Sequence, residues 1–367
     1  MNQHLMQLLN IRYPIIQAPM AGVSTPALAA AVSNAGGLGS LGLGASTVTQ
    51  AQALIEQTRQ LTERPFNVNL FCHTPSRRDA VQEAQWLARL APAFARYHGT
   101  PPKQLNEIYQ SFHQHQSMLD MLLEEKPAVV SFHFGVPSSE VIRRFQQQGT
   151  VTMASATCVA EARLIAQAGI DVVIAQGYEA GGHRGIFDPH GDDRQMSTFT
   201  LLQALLRAVD LPIIAAGGIM HGTAIASLMQ LGASGVQLGT AFLLCPEAGI
   251  DSGYRQALTQ NSDVVTFLTA AISGRPARCV KNSWSEMVAS FNERDIPAYP
   301  LAYDAGKALA TAAKAQGDHG FGAHWAGQGV AMIREMPAAD LVRVLVVMVQ
   351  GVQMIGDRLV RQLAHRR

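Results

Sequence analysis

The segment from Gln176 to Gly185 combines a histidine with paired glycines. It follows a short apolar run at residues 171–175, a pattern typical of a buried strand. Glycines have no Cβ, so a ligand can come close to the main chain there. His183 is the side chain of the segment that is best able to exchange a proton near neutral pH. The segment therefore suits a reactive site, although by itself it fits a tight surface loop with a solvated histidine equally well.

Two further glycine-containing segments are suited to binding an anion. Gly217 and Gly218 follow one short apolar run, and Gly239 and Thr240 follow another. Both segments offer backbone N–H groups, and Thr240 adds a hydroxyl at the start of an expected helix, whose dipole would favour negative charge. Together the two segments predict a phosphate site.

Uncharged amide side chains at other strand ends extend this site. Gln17, Asn69 and Gln176 each stand at or near the end of an expected strand. Amides can donate to and accept from the edge of a heteroaromatic ring without adding charge, and Met20 could lay its backbone or thioether against the face of the ring. Each of these residues alone is more often an ordinary loop amide or a core methionine. Together with the phosphate site, they favour a flat, phosphorylated cofactor.

These residues fall on a repeated strand–helix pattern. Short connections between strands and helices predict a parallel sheet with right-handed crossovers. Helix starts are marked by Thr25–Pro26, by the capping-box pattern Thr47–Gln50 and by Ser138. Eight strands argue for an α/β fold of the closed (β/α)8 type, the TIM barrel, in which the active site lies at the carboxyl ends of the strands and phosphate commonly binds after strands seven and eight. The expected strands are residues 13–20, 38–41, 65–71, 128–134, 151–155, 171–175, 211–216 and 235–239.

Three regions interrupt or follow the barrel. The barrel is expected over residues 1–240, with a helical insertion at about 73–126. Residues 241–300 read as an irregular insertion or lid with an exposed-looking Tyr254, and residues 301–367 contribute C-terminal helices that complete the barrel and the lid. The expected architecture is one barrel under a helical lid.

Composition excludes several classes of protein. Of the 367 residues, 48% are hydrophobic and 15% are charged, which fits a large core and is too apolar for disorder. A net charge of +1 gives no electrostatic case for a nucleic-acid or membrane partner. Four widely spaced cysteines without a CxxC pair, no signal-peptide pattern and no long apolar run predict a cytoplasmic protein with reduced thiols.

Several motifs together carry a family resemblance. Residues 17–22 (QAPMAG), 33–39 (SNAGGLG), 181–185 (GGHRG) and 235–242 (GVQLGTAF) resemble the nitronate monooxygenases, formerly called 2-nitropropane dioxygenases, which are FMN-dependent TIM barrels. Residues 66–73 and 299–307 look like the bacterial and fungal class I branch of that family. The resemblance covers nearly the whole chain.

The resemblance implies FMN as the cofactor and His183 as the catalytic histidine. The family's reaction oxidises alkyl nitronates with O₂, and class I members favour propionate 3-nitronate. His183 would hydrogen-bond the nitronate oxygens, or remove the α-proton of a neutral nitroalkane as a general base. The residues expected to contact FMN are Ala18, Met20, Asn69, Gln176, Gly181, Gly182, Gly217, Gly218, Gln237, Leu238, Gly239 and Thr240.

The second charge of propionate 3-nitronate is a carboxylate, which calls for a cation or hydroxyl groups. Tyr299, Tyr303 and Lys307 are spaced four residues apart and share one helix face if the helix begins early enough, although Pro300 makes Tyr299 pre-helical. We expect these three to bind the carboxylate. The alternative is a solvated helix face with tyrosines packed into the barrel rim. Further substrate-binding candidates are Tyr109 and Tyr254, which would close over the site, and His133, which could equally be a satisfied core histidine.

The remaining histidines have no metal-binding spacing, so we expect surface or structural roles for them and no metal. The expected partners are a small-molecule nitronate and O₂, with a homodimer possible. Two alternatives stay open: an FMN- and NAD(P)H-dependent enoyl-acyl-carrier-protein reductase, and a flavin-free barrel that binds a phosphorylated metabolite.

Overall fold

Eight parallel strands form a (β/α)8 barrel, which confirms the expected fold. The computed structural model describes residues 3–260, 263–288 and 291–364, with side chains through residue 352. The barrel strands are β1 (Ile15–Gln17), β2 (Gly39–Gly42), β3 (Phe66–Phe71), β4 (Val129–His133), β5 (Val151–Ala156), β6 (Val172–Gln176), β8 (Ile213–Ala216) and β9 (Gly235–Leu238). Their order is β1-β9-β8-β6-β5-β4-β3-β2, and a parallel bridge between Ile16 and Leu38 joins the two ends of the sheet.

The helices surround this barrel and also build the cover over it. They are α1 (Gln3–Leu9), α2 (Pro26–Asn34), α3 (Val48–Leu61), α4 (Ala80–Arg96), α5 (Gln116–Glu125), α6 (Ser139–Gln147), α7 (Val159–Ala168), α8 (Thr198–Leu206), α9 (Gly222–Leu231), α10 (Ser252–Thr259), α11 (Ser283–Met287), α12 (Leu301–Ala315) and α13 (Ala338–Ala364). Helix α13 packs between α9 and α2, so the last helix of the chain completes the ring around the strands. In the part of the chain that the structure describes, no helix is long and apolar enough to cross a membrane.

Helix starts follow the capping signals of the sequence. Thr25 accepts a hydrogen bond from the Leu28 N–H at 3.0 Å, and Pro26 stands in the first turn of α2. Thr47 and Gln50 form a capping box at α3, with both reciprocal hydrogen bonds present. Each such cap contributes about 1 kcal/mol and fixes where its helix begins. The predicted starts of these two helices are confirmed.

Helix α1 closes the bottom of the barrel. Leu5 and Leu9 are buried and pack with Val129 and Val172, which are the first residues of β4 and β6. Burying a leucine contributes roughly 1.5–3 kcal/mol, so α1 is firmly held there. The cavity of the barrel is therefore at the opposite, carboxyl-terminal end of the strands.

The cover over the barrel contains a small sheet that the sequence did not indicate. Strands β10 (Thr266–Thr269), β11 (Ala277–Val280) and β7 (Gly182–His183) are antiparallel, in the order β10-β11-β7. Strand β11 places Ala277 opposite His183. The sequence predicted a lid made of helices alone, and this prediction was incomplete. Strand β7 has only two residues, which is too short to show an alternating pattern in the sequence. The loop that carries His183 is thus a strand of the lid.

Tyr254 lies in α10 and is only 8% exposed, so the expectation that it is exposed is wrong. Its hydroxyl donates to the carbonyl of Trp325, and its ring stacks on His324 at 4.8 Å between centroids. The residue looked exposed because it stands among polar residues in sequence, whereas the chain around Trp325 folds back over it.

Candidate active site

A cavity of about 760 Å³ lies at the carboxyl ends of the barrel strands, beneath the lid. Gln17 does not border it, but every other residue assigned to the site from sequence does, and this shared location does not test their roles. The amides and glycines among them are Asn69, Gln176, Gly181, Gly182, Gly217, Gly218, Gln237 and Gly239, and the others are Ala18, Met20, Tyr109, His133, His183, Leu238, Thr240, Tyr254, Tyr299, Tyr303 and Lys307.

The end of the cavity after β8 is shaped by two glycines. Gly217 and Gly218 have φ values of +119° and +68°, which side chains with a Cβ rarely adopt. A Cβ on Gly217 would lie 2.8 Å from the Thr198 hydroxyl oxygen, which donates to the Gly217 carbonyl at 2.9 Å. Thr198 thereby fixes a turn whose backbone faces the cavity.

The neighbouring turn after β9 differs from the expectation. Thr240–Phe242 is a single turn of 3-10 helix and not the start of a longer helix, so the expected helix dipole is absent there. The first N–H groups of such a turn still have no partner within the turn and can face an anion. The Thr240 hydroxyl oxygen accepts a hydrogen bond from the Gly327 N–H at 2.9 Å, which ties the turn to the lid.

Gln237 carries an unsatisfied acceptor. Its side chain borders the cavity, and its Oε1 is buried without a hydrogen-bond partner among the described residues. An unpaired buried polar atom costs about 1–3 kcal/mol. Close by, a Cβ on Gly239 would lie 3.4 Å from the Ala18 Cβ and 3.7 Å from the Met20 sulfur. The arrangement provides a hydrogen-bond acceptor beside an apolar surface, which is what a flat polar ring needs.

The three amides predicted at strand ends have different surroundings. Gln17 is fully buried and serves the chain itself: its Nε2 donates to the Ser24 hydroxyl and its Oε1 accepts from the Ser40 N–H, both at 2.8 Å. The expectation that Gln17 faces a ring is therefore wrong. Asn69 borders the cavity and donates from Nδ2 to the Ser131 hydroxyl at 2.9 Å.

Gln176 borders the cavity while ordering the segment that carries His183. Its Nε2 donates to the His183 carbonyl at 3.0 Å, and its Oε1 accepts from the Gly185 N–H at 2.7 Å. His133 reaches the same carbonyl, with its Nε2 at 3.4 Å from the oxygen. Arg184 adds a buried ion pair with Asp193, 2.8 Å from Nε to Oδ2. These contacts hold the loop closed rather than solvated, which favours the reactive-site interpretation of the segment.

His183 lies in an aromatic pocket. Its ring centroid is 5.7 Å from Phe134, 5.4 Å from Tyr299, 6.0 Å from Tyr303 and 5.1 Å from Trp325. Its Nε2 is 2.9 Å from the Ser273 hydroxyl oxygen. Burial lowers the pKa of His183 to about 3, and His133 and Arg275 act in the same direction. The imidazole is therefore neutral at physiological pH.

Acidification is expected to destabilise the fold because four histidines, two buried and two enclosed at the cavity wall, are held neutral. Burial lowers the pKa of His73, His133 and His324 to about 4, and that of His183 to about 3, from the ordinary 6.5. Below pH 6.5 the unfolded chain binds protons at these residues while the folded chain does not, so stability falls as pH falls. Each residue costs about 1.4 kcal/mol per pH unit in that window. The midpoint temperature of thermal unfolding, measured between pH 8 and pH 4.5, should begin to fall once the pH is below about 6.5.

His324 does not border the cavity, so replacing it tests the pH dependence of stability without changing the site. His324→Asn should flatten the pH dependence of the midpoint, because the His324 ring is buried with an unpaired Nδ1 within the described structure. His190→Asn, at an exposed position, is the matched control and should leave the slope unchanged. A wild-type midpoint that is constant between pH 7 and pH 5 would contradict the prediction.

Tyrosines and one lysine form the other end of the cavity. Tyr299 precedes α12, as its proline neighbour indicated, and its buried hydroxyl has no partner among the described residues. The Lys307 Nζ lies 5.3 Å from the centroid of the Tyr109 ring and 5.5 Å from that of Tyr303. Lys307 is exposed and forms no ion pair with any described carboxylate. A cation and a free hydroxyl are therefore available to an acidic ligand, while the hydroxyl of Tyr254 is already taken by the chain.

Sequence reasoning missed four residues around His183: Phe134, Ser273, Arg275 and Trp325. Arg275 is 2% exposed, and its guanidinium carbon is 4.2 Å from the centroid of the Phe134 ring. Ser273 and Arg275 stand in a segment without helix or strand periodicity, and Trp325 in a glycine- and histidine-rich loop. A local pattern could not have connected them with His183, because Ser273, Arg275 and Trp325 reach it through the lid and Phe134 reaches it from the end of β4.

The sequence as a whole matches one family description. A family model described as nitronate monooxygenase covers residues 2–347. The chain belongs to the nitronate monooxygenase family. It is therefore an oxidoreductase enzyme, as the sequence motifs predicted.

Individual relatives agree with that membership. The nitronate monooxygenase of Paraburkholderia phytofirmans is 55% identical over 338 residues, 92% of each chain. That of Pseudomonas aeruginosa is 50% identical over 351 residues, 96% of this chain and 100% of the relative. Among solved structures, a nitroalkane oxidase from Streptomyces ansochromogenes is 40% identical with a TM-score of 0.86, covering 96% of this chain and 99% of that one. FabK from Thermotoga maritima is 28% identical with a TM-score of 0.72, covering 99% of both chains.

Proposed function

We propose that this enzyme oxidises alkyl nitronates with O₂ by means of FMN, and that propionate 3-nitronate is its substrate. The observation that carries the proposal is that one cavity is lined by both glycine turns, by His183 and by Lys307 with its neighbouring tyrosines. Family membership and the similarity to a nitroalkane oxidase support the same class of reaction. A cytoplasmic location and a possible homodimer belong to the proposal, and light scattering would test the latter.

The residues at the first end of the cavity fit FMN. The backbone at Gly218 and at Thr240 suits a phosphate in the position common to this fold. The unpaired Gln237 Oε1 requires a donor, and a flavin ring carries an N–H on its polar edge. Met20 offers its thioether to the face of the ring. When bound, FMN supplies the electron acceptor for the nitronate.

The protein's own task is to bind and orient an anionic substrate. Lys307 offsets the charge of the substrate carboxylate, and the Tyr299 hydroxyl, which lacks a partner within the described structure, donates to a substrate oxygen. The aromatic side chains around His183 exclude water, which strengthens the hydrogen bond from Tyr299. His183 contacts the reacting group and, for a neutral nitroalkane, accepts the α-proton.

An oxygen-consumption assay tests the function. Purified protein supplied with propionate 3-nitronate should consume O₂ and release nitrite. If it instead remains inactive while NADPH bleaches its flavin rapidly under anaerobic conditions, the reductase alternative is correct. A colourless protein without flavin absorbance would favour the phosphometabolite-binding barrel.

Replacing Gly218 with alanine is expected to weaken FMN binding by at least about 10-fold, or 1.4 kcal/mol. Gly218 has φ +68°, and a Cβ there would lie 3.1 Å from the Glu179 Cβ, so the turn must shift. Gly149→Ala is the matched control, because Gly149 has φ +83° with nothing near its Cβ and does not border the cavity. Both variants carry similar backbone strain, and only the first should lose flavin absorbance on dilution. Equal flavin retention in the two variants would argue against the phosphate site.

A further inference from the structure

The turn Ser273–Gly274–Arg275 lies directly against the His183 ring. It precedes β11, whose Ala277 pairs with His183, and the Arg184 N–H donates to the Pro276 carbonyl at 2.8 Å. Gly274 has φ +90°, and a Cβ on it would lie 2.5 Å from the Tyr299 nitrogen. The turn is therefore held between the His183 strand on one side and the chain entering α12 on the other.

Ser273 has a single hydroxyl proton, which it donates to a carbonyl within the turn. Its buried Oγ lies 3.1 Å from the Arg275 carbonyl oxygen, which can only accept, so the hydroxyl donates there. The same oxygen is 2.9 Å from His183 Nε2 and has a lone pair left for it. With the hydroxyl proton directed at the Arg275 carbonyl, Nε2 is the atom that donates a hydrogen to Oγ. In a neutral ring this leaves Nδ1 as the proton-accepting atom, and no described residue hydrogen-bonds it.

Arg275 places a permanent charge close to the same ring. Its guanidinium is buried, pairs with no described carboxylate, and donates to the carbonyl of Phe187 at 3.3 Å. Both Arg275 and His183 contact the ring of Phe134, whose centroid is 4.2 Å from the guanidinium carbon and 5.7 Å from the imidazole centroid. A like charge at this distance disfavours an imidazolium.

Glu161 and Asp188 offset part of the Arg275 charge, but no described carboxylate acts on the His183 ring itself. The titratable and charged groups that face it are His133 at the end of β4, His73 after β3, Arg275 in the turn, and Tyr299 and Tyr303 at the start of α12. Burial together with His133 and Arg275 lowers the His183 pKa to about 3, which agrees with this arrangement. In the resting protein, an imidazolium at His183 would have no counter-ion among the described residues.

We propose that the Ser273–Gly274–Arg275 turn is a positioning element that holds His183 as the neutral Nε2–H tautomer, with Nδ1 as its proton-accepting atom. The tautomer is a property of the protein, and only its use rests on the proposed function. With a neutral nitroalkane, the α C–H bond breaks, the proton goes to Nδ1, and the electron pair of the bond forms the carbon–nitrogen double bond of the nitronate. The nitronate anion then serves as the missing counter-ion of the imidazolium, because an opposite charge nearby favours the protonated ring.

Nitrogen NMR of the flavin-loaded protein tests the tautomer directly. Long-range proton–nitrogen correlation on ¹⁵N-histidine-labelled protein, with the His183 signals identified by their loss in His183→Asn, should give a protonated Nε2 and an unprotonated Nδ1. These signals should not change between pH 8 and pH 5. An Nδ1–H tautomer, or titration of the ring within that range, would overturn the proposal. A correct tautomer in a protein that oxidises neither nitroalkanes nor nitronates would leave the inference standing and remove the proposed function.

Variants of Ser273 test the mechanism of this control. Ser273→Ala should give mixed tautomers and lower kcat for a neutral nitroalkane by about 10-fold, less than the roughly 10²- to 10⁴-fold that general-base catalysis contributes as a whole. KM should change little, because Ser273 is buried away from the cavity lining. Ser273→Thr keeps the hydroxyl and should restore the single tautomer. A single Nε2–H tautomer in Ser273→Ala would refute the role of the hydroxyl.

Discussion

Replacing His183 with asparagine is expected to lower kcat/KM for a neutral nitroalkane by about 10²- to 10⁴-fold. The variant keeps a polar side chain beside Ser273 but has no basic nitrogen to accept the α-proton. With a preformed nitronate the loss should be smaller, since that substrate arrives already deprotonated. Parallel steady-state assays with nitroethane and its nitronate measure the two effects separately.

Two controls define what this result means. Flavin absorbance should be unchanged in His183→Asn, because the phosphate turns and Gln237 are on other strands. His190→Asn, at an exposed position outside the cavity, should behave as wild type. If His183→Asn oxidised the neutral nitroalkane as fast as wild type, His183 would not be the base.

Replacing Lys307 with methionine is expected to lower kcat/KM for propionate 3-nitronate by about 10-fold, or 1.4 kcal/mol, with little effect on ethyl nitronate. The difference arises because only the first substrate has a carboxylate for the ammonium group. Since Lys307 is exposed, its interaction is screened by solvent and ions. The wild-type preference for the carboxylated substrate should therefore decrease as ionic strength rises.

Lys314→Met is the matched control for this experiment. Lys314 lies two turns further along α12, pairs with Asp251 at 2.7 Å, and does not border the cavity. Its removal should leave both substrates unaffected. Equal losses for propionate 3-nitronate and ethyl nitronate in Lys307→Met would mean that Lys307 does not bind the carboxylate.

Local chemistry predicted the scaffold well. Thr25 and Thr47 mark helix starts through hydrogen bonds to residues three positions on, so the information lies within a few residues. Short apolar runs ending in glycine or amide residues indicated the barrel strands and the end at which a site would form. The fold brings the carboxyl ends of all its strands together, so the residues at those ends, apart from Gln17, came together at the cavity.

The errors share one physical cause. The polar groups of Gln17 and Tyr254 have no evident partner in the sequence, so both were expected to face the site. In the structure Gln17 accepts a hydrogen bond from Ser40, and Tyr254 donates one to Trp325. A polar group that becomes buried must find a partner, and which partner it finds depends on packing between distant segments. Distant packing also decides the conformation after β9. A helix was expected there, but the chain forms a single turn whose Thr240 hydroxyl accepts a hydrogen bond from Gly327.

The sequence by itself determined the barrel, its helix caps, the glycine turns and the segment that carries His183. Each of these depends on residues that are neighbours in the chain. Only the tertiary structure decided the state of the histidine, because Ser273 lies 90 residues away and reaches Nε2 through the pairing of β7 with β11. Arg275 likewise lies 92 residues away in the chain and lowers the pKa of His183 through space. Hydrogen bonding and charge act through space, so a residue type indicates what chemistry is available, and the packing around it decides which protonation state it holds.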